Sequence, residues 1–146
     1  MARPAALAAV LAVLSATGCG RMDHTIDLEL NGHTIQAEVA ATPEARGRGL
    51  MLRSSLSEHG GMLFVFPVAT KQCMWMKDTA IPLSVAFLDD AGRILNIAEM
   101  AAQDPAFHCS TGPARYAVEM NTGWFDRHGG RAGIRVSGLA AAPTPE

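Results

Sequence analysis

The chain has 146 residues, of which 49% are hydrophobic and 18% charged, and its formal net charge is −2. This length suits one domain, and the composition is that of a folded rather than a disordered chain. A nucleic-acid-binding surface needs an excess of basic residues, so the charge argues against a nucleic-acid partner.

The N-terminus has the pattern of an export signal over residues 1–18. Arg3 precedes an apolar run from Ala5 to Ala16 that is too short to span a bilayer as a helix. Small residues then lead to Cys19, as in a bacterial lipobox, where that cysteine is lipidated; ordinary cleavage after Gly18 is the alternative. Both interpretations predict an exported, periplasmic protein with residues 19–24 as a linker. In the lipobox interpretation, the lipid on Cys19 would be its only membrane contact.

The first element of the mature chain is a predicted β-hairpin from Thr25 to Val39. Its Asn31-Gly32 pair separates two runs of alternating apolar and polar residues, which is a strong hairpin signal. A two-residue loop would pair Leu28 with Ile35 and place the apolar residues of both strands on one face.

A short helix and several further strands follow in chain order. Thr42-Pro43 predicts the helix start, and we expect the helix to reach about Leu52. Strands are predicted at residues 62–66, 73–77, 83–88, 93–100, 116–121 and 134–136, with turns or loops between them, and the apolar runs at 62–66 and 83–88 indicate burial. The sequence therefore predicts a mainly β (α+β) fold, a compact antiparallel sheet or barrel-like domain over residues 25–138 with one short helix, and a flexible tail at 139–146.

Two cysteines remain in the domain, Cys73 and Cys109. In an exported protein they are a candidate disulfide, which would close a loop of 36 residues and stabilise the fold by about 4 kcal/mol in the chain-entropy model. A competing hypothesis is a cysteine nucleophile activated by His108, although a disulfide-bonded sulfur cannot attack a substrate.

The segment from Cys73 to Pro82, C-M-W-M-K-D-T-A-I-P, contains the most informative chemistry. One interpretation is a recognition groove with Trp75 as an aromatic platform and Lys77 and Asp78 as polar groups. The alternative is that Trp75 and its flanking methionines belong to the core and the charged pair ends a strand. The sequence does not separate these two interpretations.

Several motifs together resemble domain-of-unknown-function family 192, also known as the UPF0127 family. They are RGLMLRSSL at Arg48–Leu56, GMLFVF at Gly61–Phe66, WMKDTAIPL at Trp75–Leu83, FLDDAGRI at Phe87–Ile94 and YAVEMNTGWF at Tyr116–Phe125. The resemblance covers nearly the whole mature chain and implies an exported bacterial member with a small, mainly β domain. It implies no activity, because the family has no established one.

The resemblance also bears on individual residues. Exported members with a similar Cys73, His108 and Cys109 support the disulfide. Matching segments suggest Arg53 and Glu119 as further ligand-binding groups, with a structural ion pair as the alternative for each. The family usually has Asn at the position of Asp78 and commonly Asp at that of Ser84, so a role that needs that amide or that acid is in doubt.

Three hypotheses for function follow. The first is a non-catalytic binding or accessory module for a small molecule or an envelope protein, without a cofactor or a metal. The second is binding of Cu(I) by methionine thioethers, although methionine is also a routine core residue. The third is a hydrolase, which the scattered histidines His24, His33, His59, His108 and His128 do not favour because they form no known catalytic motif.

Overall fold

Strands make up most of residues 24–146, the part of the chain that this computed structural model describes. The elements are β1 (Thr25–Leu30), β2 (His33–Ala40), α1 (Pro43–Arg48), β3 (Gly60–Thr70), β4 (Cys73–Met74), β5 (Leu83–Leu88), β6 (Ile94–Met100), β7 (His108–Cys109), β8 (Ala114–Asn121), α2 (Trp124–Arg127) and a 3-10 helix (Leu139–Ala141). The predicted signal segment and Cys19 lie outside the described residues. Within the described part, no helix is long and apolar enough to cross a membrane.

A six-stranded sheet in the order β1-β2-β3-β8-β5-β6 forms the centre of the domain, and β4 and β7 form a separate two-stranded sheet. The prediction of a mainly β domain is confirmed, and the sheet is open rather than closed into a barrel. One pair differs from the antiparallel expectation, because β2 and β3 run parallel. A parallel pair needs a crossover connection, and residues 41–59, which include α1, provide it.

The N-terminal hairpin has the predicted register. Leu28 pairs with Ile35 and Leu30 with His33. Asn31 and Gly32 have φ values of 50° and 81°, which are the positive values that a tight hairpin turn requires.

Helix α1 is shorter than expected and ends at Arg48. The Thr42 hydroxyl caps its start by accepting a hydrogen bond from the Ala45 N–H at 3.2 Å. Gly49 ends the helix with a φ of 48°, and a Cβ atom there would approach the Phe64 ring to 3.3 Å. The backbone conformation and this contact both favour glycine, so the chain leaves the helix before Leu52. A second helix, α2, has four residues and follows β8.

The sheet buries apolar side chains on both faces. On one face, which we call the α2 face, the side chains of the β1–β2 hairpin pack against Trp124 and Phe125. On the other, which we call the cavity face, residues from β3, β5 and β8 pack against Leu50, Met76 and Ile81. Successive residues of β8 point to opposite faces of the sheet, so Val118 and Met120 pack on the α2 face and Ala117 packs on the cavity face.

The C-terminal segment runs along both edges of the sheet without forming the predicted strand at 134–136. It makes isolated bridges instead, from Arg135 to Arg93 and from Ser137 to Glu29. Beyond them, the Glu146 N–H donates a 2.9 Å hydrogen bond to the Ala41 carbonyl, and Arg46 Nη2 donates to the Glu146 carbonyl at 2.7 Å. The mobility of residues 139–146 stays a prediction.

Candidate ligand-binding site

A cavity of about 240 Å³ opens on the cavity face of the sheet. The end of α1 and the loop after it form one wall, β3 forms the floor, and β4 forms the opposite wall. Its lining is mostly apolar and includes Leu50, Met51, Phe64, Phe66, Met74 and Trp75, with Thr79 and Glu119 as buried polar groups. Small-molecule sites have this character, an apolar concavity with a few polar groups.

Glu119 is the chemically distinctive residue of the cavity. It lies on β8 between Met62 of β3 and Val85 of β5, and it is only 4% exposed. No described residue donates a hydrogen bond to its carboxyl group or forms an ion pair with it. Burial raises the pKa of Glu119 to about 8, so the group is mostly a neutral carboxylic acid near pH 7.

A neutral carboxylic acid can donate one hydrogen bond and accept others, unlike a carboxylate, which only accepts. No side-chain nitrogen or oxygen of residues 24–146 is both completely buried and without a hydrogen-bond partner, so the Glu119 carboxyl oxygens are accessible from the cavity rather than sealed in the core. Since the cavity reaches this residue, a bound molecule with a complementary polar group could supply the missing hydrogen bonds.

Trp75 lines the cavity and is 44% exposed, so it is not a core residue as one interpretation had it. Its ring stacks on Phe107, with centroids 5.8 Å apart and planes 8° apart. Lys77 Nζ lies 5.6 Å from the centroid of the Trp75 ring, within range of a cation–π contact. Trp75 and Phe107 therefore form a partly exposed aromatic pair beside the cavity, with Lys77 next to it. The role of Trp75 as a ligand platform stays a prediction.

The segment around Trp75 is a loop after Met74 rather than a strand through Lys77. Met76 is fully buried and anchors the loop in the core. The Thr79 hydroxyl donates to the Lys77 carbonyl at 3.1 Å, which closes the turn. This anchoring leaves Trp75 and Lys77 on the outer side of the loop.

Asp78 lies in this turn and is exposed outside the cavity lining. Its φ of 53° is a left-handed conformation that Asn and Asp adopt more readily than most residues. Its carbonyl accepts a 2.9 Å hydrogen bond from the Leu52 N–H. The exchange of the usual Asn for Asp therefore preserves what the backbone needs here, and the structure gives Asp78 a conformational role at the cavity mouth.

A disulfide between Cys73 and Cys109 joins β4 to β7. Cys73 lines the cavity, so the bridge ties the wall that contains Met74 and Trp75 to the loop that contains Phe107. His108 Nε2 lies 3.3 Å from an Asp104 carboxylate oxygen, an orienting contact that the sequence did not suggest. Because both sulfurs are in the disulfide, neither is available as the thiolate of a cysteine nucleophile.

Arg53 is separate from the cavity. Its guanidinium makes two hydrogen bonds of 2.8 and 2.6 Å to the Glu38 carboxylate. This geometry matches the structural ion pair that we considered as its alternative role. Of the five predicted ligand-binding residues, the structure brings together Trp75 and Glu119 in the lining, with Lys77 against Trp75.

Two polar clusters were not found by sequence analysis. Ser84 is fully buried, and its hydroxyl lies 2.7 Å from both Glu99 carboxylate oxygens and accepts from the Gly123 N–H at 2.8 Å. This bonding holds the chain at the start of α2, so the serine has a structural role here.

Three of the five histidines meet beside Trp124. The His33 and His128 ring centroids are 4.5 Å apart, those of His59 and His128 are 5.9 Å apart, and Trp124 Nε1 donates to His59 Nδ1 at 3.4 Å. No group of three or more potential ligands within residues 24–146 has the arrangement of a metal site. No local sequence pattern indicates this cluster, because His33 starts β2, His59 precedes β3 and His128 follows α2, and they meet only in the fold.

The methionines are mostly core residues. Four of the six methionines within the described part are buried, namely Met62, Met76, Met100 and Met120. The other two, Met51 and Met74, line the cavity. Core packing therefore accounts for most of the methionine content that suggested Cu(I).

The fold and the cavity define a small, mainly β domain with a partly enclosed, acid-containing apolar pocket. The chain belongs to the DUF192 family, described as an uncharacterized ACR, whose family model matches residues 26–138. No curated protein matches the chain significantly.

Two solved structures are similar along most of the chain. A proposed transcription regulator from Sinorhizobium meliloti 1021 has 32% identity and a TM-score of 0.72, covering 79% of this chain and 92% of its own. A protein of unknown function from Novosphingobium aromaticivorans DSM 12444 has 29% identity and a TM-score of 0.76, covering 94% and 99%. These similarities concern the fold, and they do not show an activity for this chain.

Proposed function

We propose that this chain is an exported, non-catalytic domain that binds a small molecule in the cavity on the cavity face of the sheet. The observation that carries the proposal is Glu119, a 4% exposed carboxylic acid without a hydrogen-bond partner that lines an apolar cavity. An apolar residue would suit this position better for stability alone, because burial disfavours the charged form of the acid.

The cavity favours a ligand with an apolar body and an uncharged polar end directed at Glu119, and the basic residues Arg46 and Arg48 also line it. Phe64, Phe66 and Met74 provide apolar walls, and they would bury a ring or a short aliphatic chain. At its buried end, the neutral Glu119 acid suits an amide or a carboxylic acid, since each can both donate to it and accept from it.

Export is supported by the sequence and is consistent with the disulfide. Disulfides persist in oxidising compartments, and Cys73 and Cys109 are paired in the structure. We propose a periplasmic protein anchored by a lipid on Cys19. Mass spectrometry of the mature protein tests this anchor, because a diacylglycerol adduct on Cys19 would support it and an unmodified N-terminus would refute it.

Transcription regulation, proposed for the Sinorhizobium meliloti neighbour, has little support in this chain. The net charge of −2 does not favour nucleic acid, and the longest α-helix in residues 24–146 has six residues. Major-groove readers usually present a longer recognition helix with basic residues. We therefore place the small-molecule site first.

A nuclear magnetic resonance titration with benzamide tests the binding proposal. Its ring suits the apolar walls, and its amide can pair with a carboxylic acid. We expect shifts confined to cavity residues, similar affinity for Glu119→Gln, and binding weakened by about tenfold or more in Glu119→Leu, which cannot form the hydrogen bonds.

Glu119→Leu and Glu119→Gln form a matched pair, since both remove the ionisable group and only glutamine keeps a donor and an acceptor. Thermal unfolding of both variants controls for folding. The proposal is refuted if benzamide does not shift cavity resonances of the unaltered protein, or if the leucine variant binds it equally well.

A further inference from the structure

Large apolar side chains are exposed around the mouth of the cavity. Leu52 is 88% exposed, Phe107 68% and Trp75 44%, and together we call them the mouth surface. Trp75 stacks on Phe107, and the Leu52 N–H donates to the carbonyl of Asp78, three residues after Trp75. Of the three residues, Trp75 lines the cavity itself.

The mouth surface is held in place by an unfavourable backbone conformation at Leu52 and by the disulfide. Leu52 has a φ of 62°, a left-handed conformation that is unfavourable for leucine, and it displays its side chain to solvent. The disulfide joins the strand before Trp75 to the strand after Phe107. This arrangement keeps apolar groups outside the core, where they gain nothing from burial within the domain.

Basic groups accompany this surface. Lys77 lies over the Trp75 ring, and the exposed Arg48 lines the cavity next to Met51, the neighbour of Leu52. Two acidic groups lie in the same region, Asp78 beside Lys77 and Asp104, which is paired with His108. Lys77 contacts the Trp75 ring directly, whereas Asp104 is held by contacts with His108 and with the Ala106 N–H.

We infer that the mouth surface docks on an anionic lipid bilayer, with Leu52, Trp75 and Phe107 entering the interface and Lys77 and Arg48 contacting lipid headgroups. Tryptophan and other amphipathic rings favour the membrane interface, and exposed apolar side chains gain burial there. Basic side chains close to an anionic leaflet add electrostatic attraction. This contact would be additional to the anchor predicted at Cys19, and it would turn the cavity mouth toward the lipid.

Vesicle co-sedimentation tests this inference with the full chain carrying Cys19→Ser, so that no lipid is attached to any protein in the comparison. The probes are vesicles of phosphatidylcholine alone and of phosphatidylcholine with about three parts in ten phosphatidylglycerol. We expect binding to the anionic vesicles, weakening at high salt, and a blue shift of tryptophan emission. Trp75 would be the source of that shift because Trp124 is fully buried.

Variants separate the mouth surface from the rest of the molecule. The double variant Leu52→Asn, Phe107→Ala should reduce partitioning by about tenfold or more, since two apolar side chains no longer enter the interface. Asparagine suits the left-handed conformation at position 52, and both altered positions are exposed, so folding should be preserved and circular dichroism can check it.

A charge pair gives the matched control. Lys77→Ala should weaken binding by about fivefold, whereas Arg131→Ala removes the same charge from the surface beside β6 and α2 and should have little effect. Failure to bind anionic vesicles would overturn the inference and leave a protein partner to account for the exposed residues. Equal binding by the double variant would also overturn it. Neither outcome depends on benzamide binding, so this test is independent of the one for Glu119.

Discussion

The two faces of the sheet contain similar apolar residues and differ in how they are covered. On the α2 face, Trp124 is fully buried and has a hydrogen-bond partner in His59. On the cavity face, Trp75 is 44% exposed, and Glu119 is buried without a partner. The first face therefore resembles an ordinary core, while the second leaves both an aromatic and a polar group incompletely satisfied.

This difference shows where the sheet departs from what stability alone would favour. β8 supplies both faces from successive residues, with Val118 and Met120 on one and Glu119 on the other. A single strand thus combines routine packing with a costly acid. Costs of this kind concentrate at functional sites, which supports the cavity face as the place of binding.

Replacing each of the two tryptophans should give the largest difference in the free energy of unfolding between the two faces. Trp124→Ala should lower the free energy of unfolding by about 3–5 kcal/mol, because it leaves a cavity in the α2 face. Trp75→Ala should change it by about 1 kcal/mol or less, because the residue is partly exposed. Urea unfolding of both variants measures the two values, and equal losses would contradict the distinction between the faces.

Removing the disulfide should have the next largest effect, about 2–4 kcal/mol, through the double variant Cys73→Ser, Cys109→Ser. The bridge joins residues 36 apart and fixes one wall of the cavity face. We expect the hairpin amides of β1 and β2 to keep their protection from hydrogen exchange while those near Met74 and Trp75 lose it. Uniform loss across both faces would mean that the bridge supports the whole fold rather than this wall.

The variant Glu119→Gln tests how the stability contributed by the cavity face depends on pH. The pKa of Glu119 is raised to about 8 in the folded protein, above its ordinary value of 4.5, so the unfolded chain releases this proton first as pH rises. The unaltered protein should therefore lose stability relative to Glu119→Gln by about 2–3 kcal/mol between about pH 5 and pH 7.

Urea unfolding of both proteins across this pH range measures that difference. Because all other ionisable groups are shared, their contributions should largely cancel. A constant difference across the range would show that Glu119 has an ordinary pKa in the folded state.

Local sequence patterns predicted the elements whose causes lie close in the chain. The hairpin register followed from Asn31-Gly32 and the alternation around it, and the start of α1 followed from Thr42 and its proline. The resemblance to family 192 identified the family. It also supported pairing Cys73 with Cys109.

The remaining features depend on contacts between distant residues. The parallel pairing of β2 with β3 is not visible locally, because it depends on where residues 41–59 bring the chain back. Arg53 and Glu119 were proposed together, yet Arg53 pairs with Glu38, and only the fold shows that Glu119 is left alone in an apolar cavity. Lys77 lies 5.6 Å from the centroid of the Trp75 ring, and their predicted role in ligand binding stays a prediction.

The crossover between β2 and β3 has an evolutionary consequence. Arg46–Met51, one wall of the cavity, belongs to this connection and makes no strand pairs, whereas Glu119 lies within the ladder. Connections tolerate substitution and changes of length better than paired strands do. Descendants of one ancestral sheet could therefore diversify what the cavity accepts by varying this connection, while the acid at its base and the strand pairing were inherited unchanged.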